Sequence, residues 1–166
     1  MELLTAIDTR SSAARLREPG PSVTQLSRII AAAERAPDHG RLKPWNFLIL
    51  AGELREKFAT AAALAKRAKL PHLDDAQMAA DRQKILRSPC VVVIACTLRQ
   101  QPKIPDIEQI VAVAAAAQNF FLAAHDLGFG VMWKTGHAAY DANVKACLNL
   151  SPKDHIIAIM HLGTRE

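Results

Sequence analysis

The sequence predicts a single layered α+β domain, on three observations. Four short apolar runs, at 45–50, 91–95, within 128–136 and at 156–160, are bounded by Pro, Gly or polar residues and read as strands. Helical stretches lie between them, but helix and strand do not alternate regularly, which disfavours a doubly wound parallel sheet. The length of 166 residues lets one core bury roughly 68–70% of the unfolded surface without a metal or disulfide staple, so the whole of 1–166 is expected to be one domain.

Taken in order, residues 2–8 read as a short helix leading into the polar segment Arg10-Ser11-Ser12. Pro19-Gly20-Pro21 then forces an irregular connection. Ser22 and Gln25 have capping-box spacing at the start of a second helix, with Val23, Leu26, Ile29 and Ile30 as its apolar stripe and Pro37 as its stop. After the strand at 45–50, the alanine-rich stretch 53–69 is a helix halted near Pro71. Asp74 and Gln77 repeat the capping-box spacing and open a helix toward Leu86. The run 91–95 is apolar on both faces, as a covered central strand would be. A long buried helix is expected over 107–127, a modest one over 141–148, and a last strand at 156–160.

Half of the residues are hydrophobic and 22% are charged, which excludes a disordered chain. Thirty alanines beside eight aromatics point to closely packed helices. The net charge of +5 is scattered rather than gathered in a block, so no nucleic-acid partner is expected. Cys90 and Cys96, six residues apart on one strand at ~3.3 Å per residue, would lie about 20 Å apart and cannot bridge. An odd cysteine count and no basic, apolar leader suit the cytoplasm. The charge-free stretch 109–125 falls short of the ~20 apolar residues of a membrane span, so no membrane is expected.

Several motifs resolve into ordinary structure. Gly128-x-Gly130 follows a long helix instead of opening one, and the third glycine of a dinucleotide fingerprint would fall at Trp133, so a helix C-cap explains Gly128. The six histidines show no metal-ligand spacing, and no metal is expected. Asp74-Asp75 fits helix capping. Cys147 carries no nucleophile motif.

Two segments carry chemistry. Arg10-Ser11-Ser12, followed by Arg15, offers a guanidinium and two hydroxyls in one turn, which suits either a phosphate ester or simple capping and solvation. The stretch 35–45 is a proline-bounded loop rich in basic and titratable donors, including Arg35, His39, Arg41 and Lys43, between a helix and a strand.

Together with Leu127-Gly-Phe-Gly130 leading into Trp133-Lys-Thr-Gly136, these segments resemble the FMN-dependent nitroreductase family, in particular its small members with an Arg-Ala-Pro-Asp-His loop. The resemblance spans almost the whole chain. It implies an α+β sandwich with a mainly antiparallel sheet of four to five strands, a long central helix at a homodimer interface, and FMN at that interface. By the same resemblance Arg10, Ser11 and Ser12 hold the FMN phosphate, while Arg35 and His39 reach the flavin from the partner chain. Trp133, Lys134 and Thr135 line the isoalloxazine edge, with backbone N–H groups near Thr135 and Gly136 facing N5 and O4. The segment Ala123, Ala124, His125, Asp126, Leu127 and Gly128 matches one associated with the nicotinamide nucleotide.

The implied activity passes hydride from NADH or NADPH through FMN N5 to a nitroaromatic, quinone or similar oxidant, with no side chain as catalytic acid or base. The alternative is a non-catalytic flavin-binding or protein-interaction member of the fold. Three departures from the family pattern stand out: Ser11 replaces a second basic residue, Lys43 replaces a glutamine before Pro-Trp, and the C-terminal arm is short or absent, so that either Arg165 substitutes as a donor or FMN binding is looser.

Overall fold

The structure, a computed structural model, describes every residue except Pro102. Its elements are α1 (Leu3–Thr9), β1 (Leu16–Arg17), α2 (Val23–Ala33), β2 (Trp45–Ile49), α3 (Gly52–Lys69), α4 (Asp75–Leu86), β3 (Cys90–Cys96), α5 (Asp106–Asp126), β4 (Gly130–Lys134), α6 (Ala142–Cys147) and β5 (His155–Arg165).

Both capping boxes form. Ser22 Oγ accepts from the Gln25 N–H while the Gln25 amide oxygen accepts from the Ser22 N–H, and Asp74 and Gln77 repeat the exchange. Each box satisfies backbone donors that the first turn of a helix leaves without partners.

The five strands form one antiparallel sheet, as the family resemblance implied. β3 lies between β2 and β5, and β5 also pairs with β4 over Ile159–Gly163 and with β1 at Thr164 and Arg165. A single parallel bridge joins Ser12 to Val131. β5 runs well past the expected 156–160, because β1 and β4 supply partners for a stretch whose own sequence turns polar and glycine-containing.

β3 is buried on both faces, and its alternation divides the core in two. Val92, Ile94 and Cys96 pack with α2 and α5, including Ile29, Val113 and Phe120; Val91, Val93 and Ala95 pack with α3 and α6, including Phe58, Val144 and Leu148. Truncating Ile94 to Ala costs about 2–5 kcal/mol at such a site. Phe47 stacks on Phe120 with ring centroids 6.3 Å apart.

α5 is long and apolar enough to cross a membrane by composition alone. Here Ala112, Val113, Ala116, Ala117, Phe120 and Ala124 pack it against the sheet as a core helix. Near its start the buried Gln109 amide accepts from the Arg99 N–H at 2.8 Å and donates to the Arg99 carbonyl at 3.0 Å, fixing the incoming connection. Its end is a Schellman cap: Gly128 has φ 86, its N–H donates to His125 O, and the Phe129 N–H donates to Ala124 O. Cys90 and Cys96 lie at opposite ends of β3 as free thiols, and burial pushes both up to about 11, which makes them inert at neutral pH.

Candidate cofactor cleft

Gly130 and Gly163 face each other across the β4–β5 ladder. A Cβ on Gly130 would fall 2.8 Å from Leu16 Cδ2 and 3.0 Å from Ala13 Cβ, and one on Gly163 would fall 2.7 Å from Pro89 Cγ. The missing side chains let residues 12–17 cross the end of the sheet. There the Ala13 N–H donates to Val131 O at 2.9 Å and β1 adds to β5.

This crossing walls off a cleft of about 570 Å³ against β4 and the C-terminal end of α4. Arg15, Lys84, Arg87 and Lys134 line it, with Glu166 as the acidic member of the set and Met132 as an apolar wall. A smaller hollow of about 240 Å³ shares Lys84, Lys134 and His161 and continues beneath Thr135 and Gly136. Partial desolvation, then the charges of Lys84 and Arg87, lower the Lys134 ammonium from its ordinary value against the opposing pull of Asp81. Asp81 holds Lys84 at 2.7 Å and also pairs with Lys66. Burial works against its carboxylate, but the hydrogen bonds from those two lysines prevail and lower its pKa.

At the floor stands His161, 4% exposed, its Nδ1 at 2.7 Å from Ser88 Oγ. Ser88 is held in turn: its hydroxyl donates to Lys84 O at 3.2 Å, and the Arg55 guanidinium donates to the carbonyls of Ile85 and Ser88. Burial first, then Lys134 and Arg55, push His161 down to about 4, so the ring is neutral at physiological pH.

The expected site residues fall into three places. Arg10 lies with its guanidinium 4.9 Å from the Phe121 ring centroid, and Ser11 is held by Arg165, which donates from Nη1 to Ser11 Oγ and from Nη2 to Ser11 O. Ser12 is exposed beside Val131. Arg10, Ser11 and Ser12 are consecutive, and Arg165 joins them through Ser11, beside the cleft wall at Ala13 to Leu16. Lys134 and Thr135 line the cleft and its extension. Trp133 points the other way by strand alternation: its indole packs in the α5-side core and donates to Ile157 O at 3.1 Å.

His39 is elsewhere in the same chain, and Arg35 follows the end of α2. His39 Nδ1 sits 2.5 Å from Glu108 Oε2 at the start of α5. Phe121, beneath Arg10, lies thirteen residues further on, about 20 Å along the helix. The loop around His39 is locally built: Gly40, Arg41 and Lys43 adopt φ of 76, 54 and 47, and Asp38 accepts the Lys43 N–H at 2.7 Å.

The segment 123–128 docks α1. Ala124 is fully buried, Thr9 Oγ1 is 3.0 Å from His125 Nε2, and Asp126 pairs with the Met1 ammonium at 2.6 Å. Ala123 borders a shallow hollow against Leu3 and Ala6, Leu127 packs into the core, and Gly128 supplies the cap. The helix end points carbonyls outward there, a sign unfavourable to a pyrophosphate. Among the described residues no cluster of three His, Cys, Asp or Glu is arranged to hold a metal.

Sequence reasoning missed His161, Ser88, Lys84 and Arg87. The spacing of Ile159 and His161, two apart on one strand face, was the available signal for the histidine. The other three come to the cleft only through the packing of α4.

The nitroreductase family profile matches residues 7–164. The chain belongs to the nitroreductase family. This nitroreductase-family chain is 32% identical over 166 residues to YdjA of Escherichia coli (strain K12), provisionally named an NAD(P)H nitroreductase, covering 100% of this chain and 90% of that one. Among solved structures it is similar to the nitroreductase-like family protein from Bacillus cereus, with a TM-score of 0.83, 25% identity, and coverage of 100% and 87%. The FMN and NADPH-dependent nitroreductase NfnB from sphigopyxis sp. strain HMH shares the fold, with a TM-score of 0.76, 20% identity, and coverage of 100% and 89%.

Proposed function

We propose that the chain is a single-domain, homodimeric FMN-dependent oxidoreductase that takes reducing equivalents from NADH or NADPH and delivers them to a nitroaromatic, quinone or similar small oxidant. The observation that carries this reading is the cationic cleft where residues 12–17 cross β4, in a member of the nitroreductase family.

The residues present fit FMN. A phosphate carrying close to two negative charges suits the Arg10, Ser11, Ser12 and Arg165 cluster, whose donors lie on one short segment and the strand end beside it. Lys134, Arg87 and Lys84 set a positive field over the adjoining cleft, and Thr135 and Gly136 border its extension. FMN, when bound, supplies hydride acceptance and donation at N5. The chain's own residues hold and orient: Met132 provides an apolar wall, and the lysines and Arg87 favour charge that develops on a reduced ring. No side-chain acid or base is assigned.

A dimer suits the separation of His39 from Arg10: within one chain they sit about 20 Å apart along α5, and a second chain would bring His39, with Arg35, to the cleft. Leu3, Leu4 and Ile7 on α1 and Ile107 and Val111 on α5 are exposed apolar residues available for that contact. A hollow of about 380 Å³ beside His39, Ile107 and Val111 could receive a partner side chain. The free thiols Cys90, Cys96 and Cys147 fit a reducing compartment such as the cytoplasm.

A second reading, a flavin-binding or protein-interaction member without turnover, draws on the engagement of Arg10 by Phe121 and of Arg165 by Ser11. One preparation separates the two. Yellow protein that releases FMN on denaturation and oxidises NADH or NADPH with a quinone or nitroaromatic acceptor supports the enzyme. Bound flavin without turnover supports the flavin-binding form of the second reading, and colourless protein that fails to bind added FMN overturns the enzyme and leaves only the protein-interaction form.

A further inference from the structure

We infer that His161 is a cofactor-contacting residue, whose Nε2 accepts a hydrogen bond from a ring imide N–H, the N3–H of the flavin pyrimidine. The inference rests on the FMN reading of the cleft and extends it to a residue outside the segments that carry the family resemblance.

Three observations fix the direction of the ring's chemistry. The Ser88 hydroxyl has one proton; directed to Lys84 O, its acceptor at 3.2 Å, it leaves the Ser88 oxygen to accept from His161 Nδ1–H at 2.7 Å. The imidazole is then the Nδ1–H tautomer, and Nε2 carries a lone pair. Lys134, which lines the cleft beside the ring, favours the same tautomer, since it turns a lone pair rather than an N–H dipole toward positive charge.

The third observation is where Nε2 points. Among the described residues every fully enclosed side-chain nitrogen or oxygen has a hydrogen-bond partner. His161 makes its one hydrogen bond through Nδ1, and the residue lines both the main cleft and its extension under Thr135. Nε2 therefore opens onto the cleft. A nearly buried side chain offering one acceptor beside Lys134, Lys84 and Arg87, with Glu166 at the cleft and the lysine-paired Asp81 at its extension as the acidic members, suits a ligand that presents a donor flanked by acceptors. The flavin pyrimidine has that pattern: N3–H lies between two carbonyl oxygens, which would face Lys134 and its neighbours while N3–H faces His161.

The test compares FMN with 3-methyl-FMN, which lacks the N–H, by fluorescence quenching on the full chain. The ratio of the two affinities cancels the contribution of the phosphate. Wild type should bind FMN at least tenfold more tightly than the analogue, and His161→Ala, which removes the acceptor and leaves room for the methyl group, should bring the ratio close to one. Ser88→Ala, which leaves the histidine in place but frees its tautomer, should lower the ratio part-way and serves alone if the alanine variant at 161 fails to fold. Equal binding of both flavins by wild type, or an unchanged ratio in Ser88→Ala or His161→Ala, overturns the role of His161 while leaving FMN binding intact. Wild type that binds neither flavin overturns the FMN reading and this inference with it.

Discussion

Arg165 grips Ser11 at two points, Nη1 to the hydroxyl at 2.9 Å and Nη2 to the carbonyl at 2.7 Å. The end of the last strand is thus tied to the segment proposed to hold phosphate, and β1 reinforces the tie through its pairing of Leu16 with Arg165.

Replacing Arg165 with Ala should release that segment and remove a cation from the phosphate cluster. Because Arg165 is exposed, the effect belongs near the lower end of the range for hydrogen bonds to charged groups, about 1.5 kcal/mol, or roughly a tenfold weaker FMN dissociation constant. Titration of apoprotein with FMN reads it directly. An unchanged constant would show that Ser11 is positioned by the sheet alone.

Arg10→Ala should weaken FMN binding by about tenfold to a hundredfold, the loss of roughly 1.5–3 kcal/mol. Phe121→Leu should do less, since it removes only the aromatic face under the guanidinium, worth about 0.5–1 kcal/mol. If the two variants bind FMN alike, the ring rather than the charge of Arg10 organises the site.

Val111→Glu places a carboxylate on the exposed apolar stripe of α5. It should shift the chain from dimer to monomer in sedimentation velocity and lower FMN affinity in the same samples, because Arg35 and His39 would leave with the partner. A monomer with full FMN affinity would rule out a cleft shared between chains.

The His161 environment gives stability a defined pH dependence. The unfolded histidine takes up its proton near 6.5 and the folded one only near 4, so between those values the unfolded chain binds more protons. Stability from this residue is complete above pH 6.5 and declines as pH falls toward 4, by on the order of 3 kcal/mol. Urea unfolding at pH 7 and pH 5 should show the loss in wild type and a smaller one in His161→Gln. Parallel losses in both would assign the acid sensitivity to other groups.

Much of the fold was legible because its signals are local. Ser22 with Gln25 and Asp74 with Gln77 mark helix starts within four residues, and the unbroken apolar run of β3 announces a strand covered on both faces. β1 was not legible: Leu16–Arg17 has no strand pattern, and it pairs only because Gly130 and Gly163 leave room for the crossing. Of the residues expected at the proposed site, Lys134 and Thr135 lie along the cleft and its extension, while strand alternation sends the Trp133 indole into the opposite core. His161 looked like one scattered histidine among six, since only the packing of α4 brings Ser88 and Lys84 beneath it.

The distance along α5 between His39 and Arg10 also has a genetic consequence. If each cleft draws on both chains, Arg10→Ala and Arg35→Ala damage different contributions to the same cleft. In a mixed dimer, one cleft takes both lesions and the other takes neither. Two variants with weakened FMN binding, refolded together, would then regain an FMN affinity in one cleft that neither shows alone, and a helix that serves as core in each chain would act as the ruler that makes such complementation possible.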